Sequence, residues 1–133
     1  MVDPEIRKRN RTNKRNGASY EIQLVQWFRN MGHKCERRSK AGSRDEGDVA
    51  VEIGEWVYCI EAKNVAKMAL PEFLAQAHVQ ANHYAENRTM DRGRVIPLVV
   101  IKRRLHGIEK SYVVQELDAF LATTEAMLLG DQG

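Results

Sequence analysis

Two runs of alternating apolar residues, Asp48 to Ile53 and Trp56 to Lys63, are separated only by Gly54 and Glu55, and no other stretch constrains the fold as tightly. A two-residue connection led by glycine suits a primed β-turn, so a tight antiparallel hairpin is expected. Opposed residues then carry numbers that sum to 109, which sets Ile53 against Trp56, Val51 against Tyr58, Val49 against Ile60 and Asp48 against Glu61. Alternation sorts the two faces. Val49, Val51, Ile53, Trp56, Tyr58, Ile60 and Ala62 form a wholly apolar side, while Asp48, Ala50, Glu52, Val57, Cys59, Glu61 and Lys63 share the other.

The flanking sequence supplies the rest of a mixed β-sheet with helices on its faces, in the order α-β-β-β-α-β-β-α. Tyr20, Leu24, Phe28 and Met31 repeat at helical spacing, so a first helix is expected from Gly17, capped by Asn16 or Ser19, to Gly32. Glu21 precedes Leu24, Val25 and Phe28 by three, four and seven positions, which puts a carboxylate on the inward side of that helix. Cys35 to Arg38 reads as a short strand, followed by the charged loop Ser39 to Gly47. Pro71 suits the first turn of a helix running to Glu86. Val95 to Ile101 is a nearly continuous apolar strand whose Pro97 implies an edge or a bulge. Lys102, Arg103 and Arg104 open a basic turn, Ser111 to Leu117 forms a further strand, and Asp118 caps a last helix through Leu129. Leu117, Phe120, Leu121, Met127 and Leu128 of that helix either cover the sheet or form an interface, with the sheet preferred.

At 133 residues, 43% hydrophobic and 29% charged, the chain has the composition of one globular domain, without a span of membrane type or a signal-peptide pattern, and is expected in the cytoplasm. Cys35 and Cys59 are too few for a disulfide framework. The net charge of +3 hides an asymmetry: residues 1–16 hold Arg7, Lys8, Arg9, Arg11, Lys14 and Arg15 against Asp3 and Glu5, so everything from Gly17 onward sums to −1. Residues 1–16 are therefore expected to be a flexible basic arm and 17–133 a single domain. Composition leaves open a solubilising tail or an arm that contacts nucleic-acid phosphates.

Directly opposed residues have Cβ atoms roughly 4.5–5.5 Å apart, so Asp48 and Glu61 would repel unless a cation lay between them. Two carboxylates select a hard ion such as Mg²⁺, with the Ala62 carbonyl as a further oxygen ligand and Lys63 on the same face. Other chemistries lack support. His78 and His83 are five apart and miss the spacing of paired zinc ligands, no serine sits in a Gly-x-Ser-x-Gly elbow, and the glycines form neither a Walker loop nor a dinucleotide fingerprint. No nucleotide cofactor is expected.

Gly47-Asp48 followed by Glu61-Ala62-Lys63 resembles the PD-(D/E)XK nuclease superfamily, with Gly47 in place of the eponymous proline. Gly17-Ala-Ser-Tyr-Glu21 is similar to the signature of the branch that includes archaeal and phage Holliday-junction resolvases, and Gln80-Ala-Asn-His-Tyr84 to the Gln-x-x-x-Tyr element of RecB-like nucleases. The resemblance implies a restriction-endonuclease-like α-β-β-β-α-β core. It also implies Glu21, Asp48, Glu61, Lys63 and Gln80 as catalytic residues, with Glu21, Asp48, Glu61 and the Ala62 carbonyl holding Mg²⁺, for which Mn²⁺ substitutes. Lys63, beside two carboxylates, is favoured in its charged form and suits transition-state stabilisation better than a free-amine base. Arg7, Lys8, Arg9, Arg11, Lys14, Arg15, Arg37, Arg38, Lys40, Ser43 and Arg44 are expected to contact DNA, with the Lys102 to Arg104 turn adding cations.

The expected function is that of a metal-dependent, structure-selective DNA endonuclease, a Holliday-junction resolvase acting as a homodimer on four-way junctions. The alternatives are a RecB-like exonuclease or restriction-type nuclease on linear DNA, and a non-catalytic DNA-binding module.

Overall fold

In a computed structural model, which describes residues 3–38 and 47–130, the hairpin forms in the expected register. Strands β2 (Val49–Ile53) and β3 (Trp56–Lys63) are antiparallel, pairing Ile53 with Trp56, Val51 with Tyr58 and Val49 with Ile60. Gly54 takes a φ of 61°, the left-handed conformation that the turn requires. β1 (Lys34–Arg37) lies antiparallel to β2, and β4 (Val95–Ile101) lies parallel to β3. β5 (Tyr112–Val114) closes a five-stranded sheet of order β1-β2-β3-β4-β5. The parallel step is bridged by helix α2 (Leu70–Asn87), as a crossover between parallel strands must be.

The two sheet faces carry different covers. Val49, Val51 and Ile60 pack with Leu98 and Val100 against Tyr20, Leu24 and Val25 of α1 (Pro4–Asn30). Ala50, Val57, Cys59 and Val95 pack against Ala81, Tyr84 and Ala85 of α2, and Val99 and Ile101 against Phe73 and Ala77. The Tyr20 hydroxyl donates to Ser111 Oγ at 2.7 Å and ties α1 to the segment leading into β5. Cys35 and Cys59 are buried free thiols, and burial pushes the Cys35 thiol up to about 11, so it behaves as an apolar side chain. Pro97 is tolerated because alternate amides of β4 turn toward β5, whose pairing begins only at Val99; the missing N–H faces no strand.

Two expectations are corrected. The first helix begins at Pro4, not Gly17, so the basic segment is the N-terminal part of a 27-residue helix. Asp3 caps it by accepting from the Glu5 amide at 3.0 Å, and Pro4 occupies its first turn. The last helix, α3 (Leu117–Gly130), does not cover the sheet. None of its residues is buried, and Leu117, Phe120, Leu121 and Leu128 are all more than half exposed.

Gly47 runs at φ 96°, and a Cβ there would lie 3.2 Å from Gln80 Oε1 and 3.4 Å from the Ile60 carbonyl oxygen. Proline, fixed near −65°, cannot adopt that conformation, so glycine at this place in the motif is a requirement of the local backbone. Gly47→Ala is expected to cost about 2 kcal/mol in urea unfolding, combining backbone strain and crowding, whereas Gly54→Ala, where nothing lies near the added carbon, costs about 1 kcal/mol. Equal losses at the two glycines would contradict the close approach.

Candidate active site

One end of the sheet collects most of the predicted catalytic residues, because β1 ends, β2 begins and β3 and β4 both end there. Asp48 immediately precedes β2. Its amide donates to the Ile60 carbonyl at 3.1 Å, its carbonyl accepts from Arg38 at 2.8 Å, and its Oδ2 accepts from the Ala62 amide at 2.9 Å. The paired ladder stops at Val49 and Ile60, and these three bonds hold residue 48 beside Glu61 in place of a further pair. Asp48 and Glu61 are each only 4% exposed, so two acidic side chains share a nearly dry site.

Glu61 Oε1 lies 3.0 Å from Lys63 Nζ, whose ammonium also sits 4.7 Å above the Phe73 ring at the start of α2. Gln80, 6% exposed on the inner face of α2, hydrogen-bonds to the Glu61 carboxyl. The second Glu61 oxygen, Oε2, is buried with no hydrogen-bond partner. Burial raises the Glu61 pKa above the ordinary carboxylate range, the Asp48 charge raises it further, and Lys63 and Gln80 pull it partly back. An orphaned oxygen beside a second buried carboxylate is the arrangement a divalent cation relieves, so Asp48 and Glu61 fit a hard metal ion. The amide and carbonyl of one strand residue point the same way, so the Ala62 carbonyl is directed to the Asp48 side, where it can serve as a further oxygen ligand.

Glu21 is not brought to this pair. It lies on α1, which covers the opposite face of the sheet, and its Oε2 accepts from Arg37 Nε at 2.8 Å. Arg37 shares a face with Cys35 by alternation, so it meets α1 and not α2. Among the described residues no third His, Cys, Asp or Glu joins Asp48 and Glu61 in a metal-sized group. Arg38 stands at the same sheet end, paired with Glu36 at 2.7 Å and 5.7 Å from the Tyr84 ring centre. Arg7 and Arg15 are exposed on α1. The side chains of Lys8, Arg9, Arg11 and Lys14, and residues Lys40, Ser43 and Arg44, lie outside the described residues.

Phe73 beneath Lys63 was not anticipated, although Phe73, Ala77, Gln80, Ala81 and Tyr84 recur at spacings of three and four and mark one helical face.

Because folding raises the Glu61 pKa, the native chain holds that proton more tightly than the unfolded one. The resulting stability is fully present below the ordinary value of 4.5 and is lost as the pH climbs through the raised native value. In EDTA at pH 8, Glu61→Gln is therefore expected to melt about 3 °C above wild type, the gap closing toward pH 4. A thermal-melt series across pH checks this; a gap independent of pH would contradict a strained, charged Glu61.

No protein-family model matches the chain, and no curated protein does. The structure is similar to that of Hjc, a Holliday junction resolvase from the archaeal hyperthermophile Archaeoglobus fulgidus, with a TM-score of 0.47 and 16% identity over 80% of this chain and 88% of that one. The likeness is one of fold.

Proposed function

We propose that the chain is a metal-dependent endonuclease that hydrolyses DNA phosphodiester bonds, with four-way junctions as its substrate. The observation that carries the reading is the buried Asp48–Glu61 pair with its unpartnered Oε2 and the Lys63 ammonium 3.0 Å from Oε1. Asp48, Glu61 and the Ala62 carbonyl would hold Mg²⁺, or Mn²⁺ in its place. When bound, the ion supplies an activated water and neutralises charge on the scissile phosphate.

The protein's own groups then divide the remaining work. Lys63 is positioned by its contact with Glu61 and by the Phe73 ring, so it donates to a non-bridging phosphate oxygen as charge builds in the transition state. Gln80 fixes the Glu61 carboxyl from the helix side, and the Ala62 amide fixes Asp48 from the strand. Both carboxylates are therefore oriented before substrate arrives. Glu21 contributes by holding Arg37 at the same sheet end, where its guanidinium can approach a phosphate.

A four-way junction is resolved by cutting two strands at symmetric positions, which requires two copies of this single site. The uncovered α3, with Leu117, Phe120, Leu121 and Leu128 exposed, is the surface we assign to the homodimer. Light scattering at micromolar concentration is expected to give twice the 15.2 kDa chain mass, and Leu121→Asp the single mass. A monomeric wild type would contradict the paired-site reading.

With Mg²⁺, wild type is expected to cut a labelled junction in preference to its linear arms. Asp48→Asn abolishes cutting while retaining junction affinity, Lys63→Ala lowers the rate by about 100-fold or more, and Glu21→Gln, acting only through Arg37, by about 10-fold. Equal cutting of linear arms would make this a nuclease of linear DNA, and no Mg²⁺-dependent cutting of any substrate would leave a binding module.

A further inference from the structure

Beyond the carboxylate pair, the same end of the sheet holds a recess of about 500 Å³ between α1 and the turn that follows β4. Asn16, Ser19 and Gln23 of the helix form one wall, Lys102 and Arg104 the other, and Asn64 the rim toward β3. Two cations, five neutral polar side chains including Tyr20, and Leu105 line it, with no carboxylate. Neither Lys102 nor Arg104 has an acidic partner among the described residues. The contrast with the opposite end is direct, where Lys34 pairs with Glu52 at 4.0 Å and Arg94 with Glu55 at 3.0 Å. Uncompensated cations facing an open recess of hydrogen-bonding side chains are built for an anion.

The position of the recess identifies the anion. The Lys102 amide donates to the Lys63 carbonyl at 2.9 Å, so the wall of the recess is bonded directly to the residue that carries the site's ammonium group. Lys63 projects from the α2 side of the sheet, whereas Lys102, in step with Leu98 and Val100, projects from the α1 side. Asn64, the residue after Lys63, lines the recess together with Lys102. Leu105 at the lip is fully exposed and holds a φ of 62°, a conformation a leucine adopts only at a cost. Cations in a recess beside an exposed apolar tip suit a polymer that alternates phosphates with sugar and base faces. They suit a free phosphate less well.

We propose that this recess is the strand-binding subsite of the enzyme, in which Lys102 and Arg104 take backbone phosphates of the DNA strand whose scissile phosphate meets Lys63. The proposal rests on the nuclease reading. The strand crosses the carboxyl ends of β3 and β4 from the α2 side to the α1 side and then meets the basic half of α1, where Arg15 adjoins Asn16.

The test is fluorescence anisotropy of a labelled four-way junction with the full chain across a NaCl series, in EDTA and again with Ca²⁺ in place of Mg²⁺. Removing two phosphate contacts, the Lys102→Ala/Arg104→Ala variant is expected to lose about 10-fold or more in affinity near 0.1 M salt and to flatten the slope of log K against log salt by about 2. Lys102→Arg/Arg104→Lys preserves the slope, and the charge-matched Lys34→Ala/Arg94→Ala control leaves affinity and slope unchanged. A double-alanine variant with wild-type affinity and slope overturns the subsite, as does a control that loses as much. If wild type cuts DNA while the double-alanine variant binds normally, only the subsite fails. If the variant is weakened but wild type never cuts, the recess is a phosphate-binding surface of a binding module, and the nuclease reading fails and takes the catalytic subsite with it. A wild type without DNA affinity in either buffer overturns both.

Discussion

Two carboxylates that share a buried site, one of them with an oxygen left without a donor, dominate the architecture of this chain. Taking Asp48 and Glu61 out of water costs several kcal/mol per charge unless the deficit is met. The protein meets part of it with the Ala62 amide, the Lys63 ammonium and the Gln80 side chain. Glu61 Oε2 is left over. A chain selected for stability alone would fill this place with apolar residues, as it does at the neighbouring pair toward the turn, where Val49 and Ile60 are fully buried. The residual deficit is what a bound cation would relieve, and it lies at one end of the sheet.

That position follows from connectivity. A hairpin with a two-residue turn fixes its register as far as Val49 and Ile60, and the bonds of Asp48 to the Ile60 carbonyl and the Ala62 amide then hold it beside Glu61. The α2 crossover then lays Phe73 and Gln80 over the face from which Glu61 and Lys63 project, while α1 covers the other face. Parallel β3 and β4 end side by side, so the Lys102 to Arg104 turn emerges next to Lys63. The strand ends, not the faces, gather Asp48, Glu61, Lys63 and the Lys102 to Arg104 turn.

Much of this was legible in the residues. The turn at Gly54 and strict alternation determined the strand register, while the spacing of Phe73, Ala77, Gln80, Ala81 and Tyr84 held an unread signal of which α2 residues face the sheet. Glu21 was misplaced because periodicity tells which side of a helix is buried but not which face of the sheet it is buried against. Arg37, two positions after Cys35 and therefore on the Val51 side, carried the missing information. The start of α1 was obscured by Asn13, Asn16 and Gly17, which are poor helix formers, although Asp3-Pro4-Glu5 is itself a helix-start sequence. The fate of α3 was misjudged because Leu117, Phe120, Leu121, Met127 and Leu128 share one face of the helix, and an apolar stripe does not tell whether the sheet or another surface covers it.

The central claim, that Asp48 and Glu61 together grip a divalent ion, is tested most directly by crystals of the full chain grown with Mn²⁺ and measured at the manganese absorption edge. The account predicts one anomalous peak bridging an oxygen of Asp48 and an oxygen of Glu61 on the α2 side of the sheet. An empty map there at saturating Mn²⁺, with both carboxylates ordered, would contradict it.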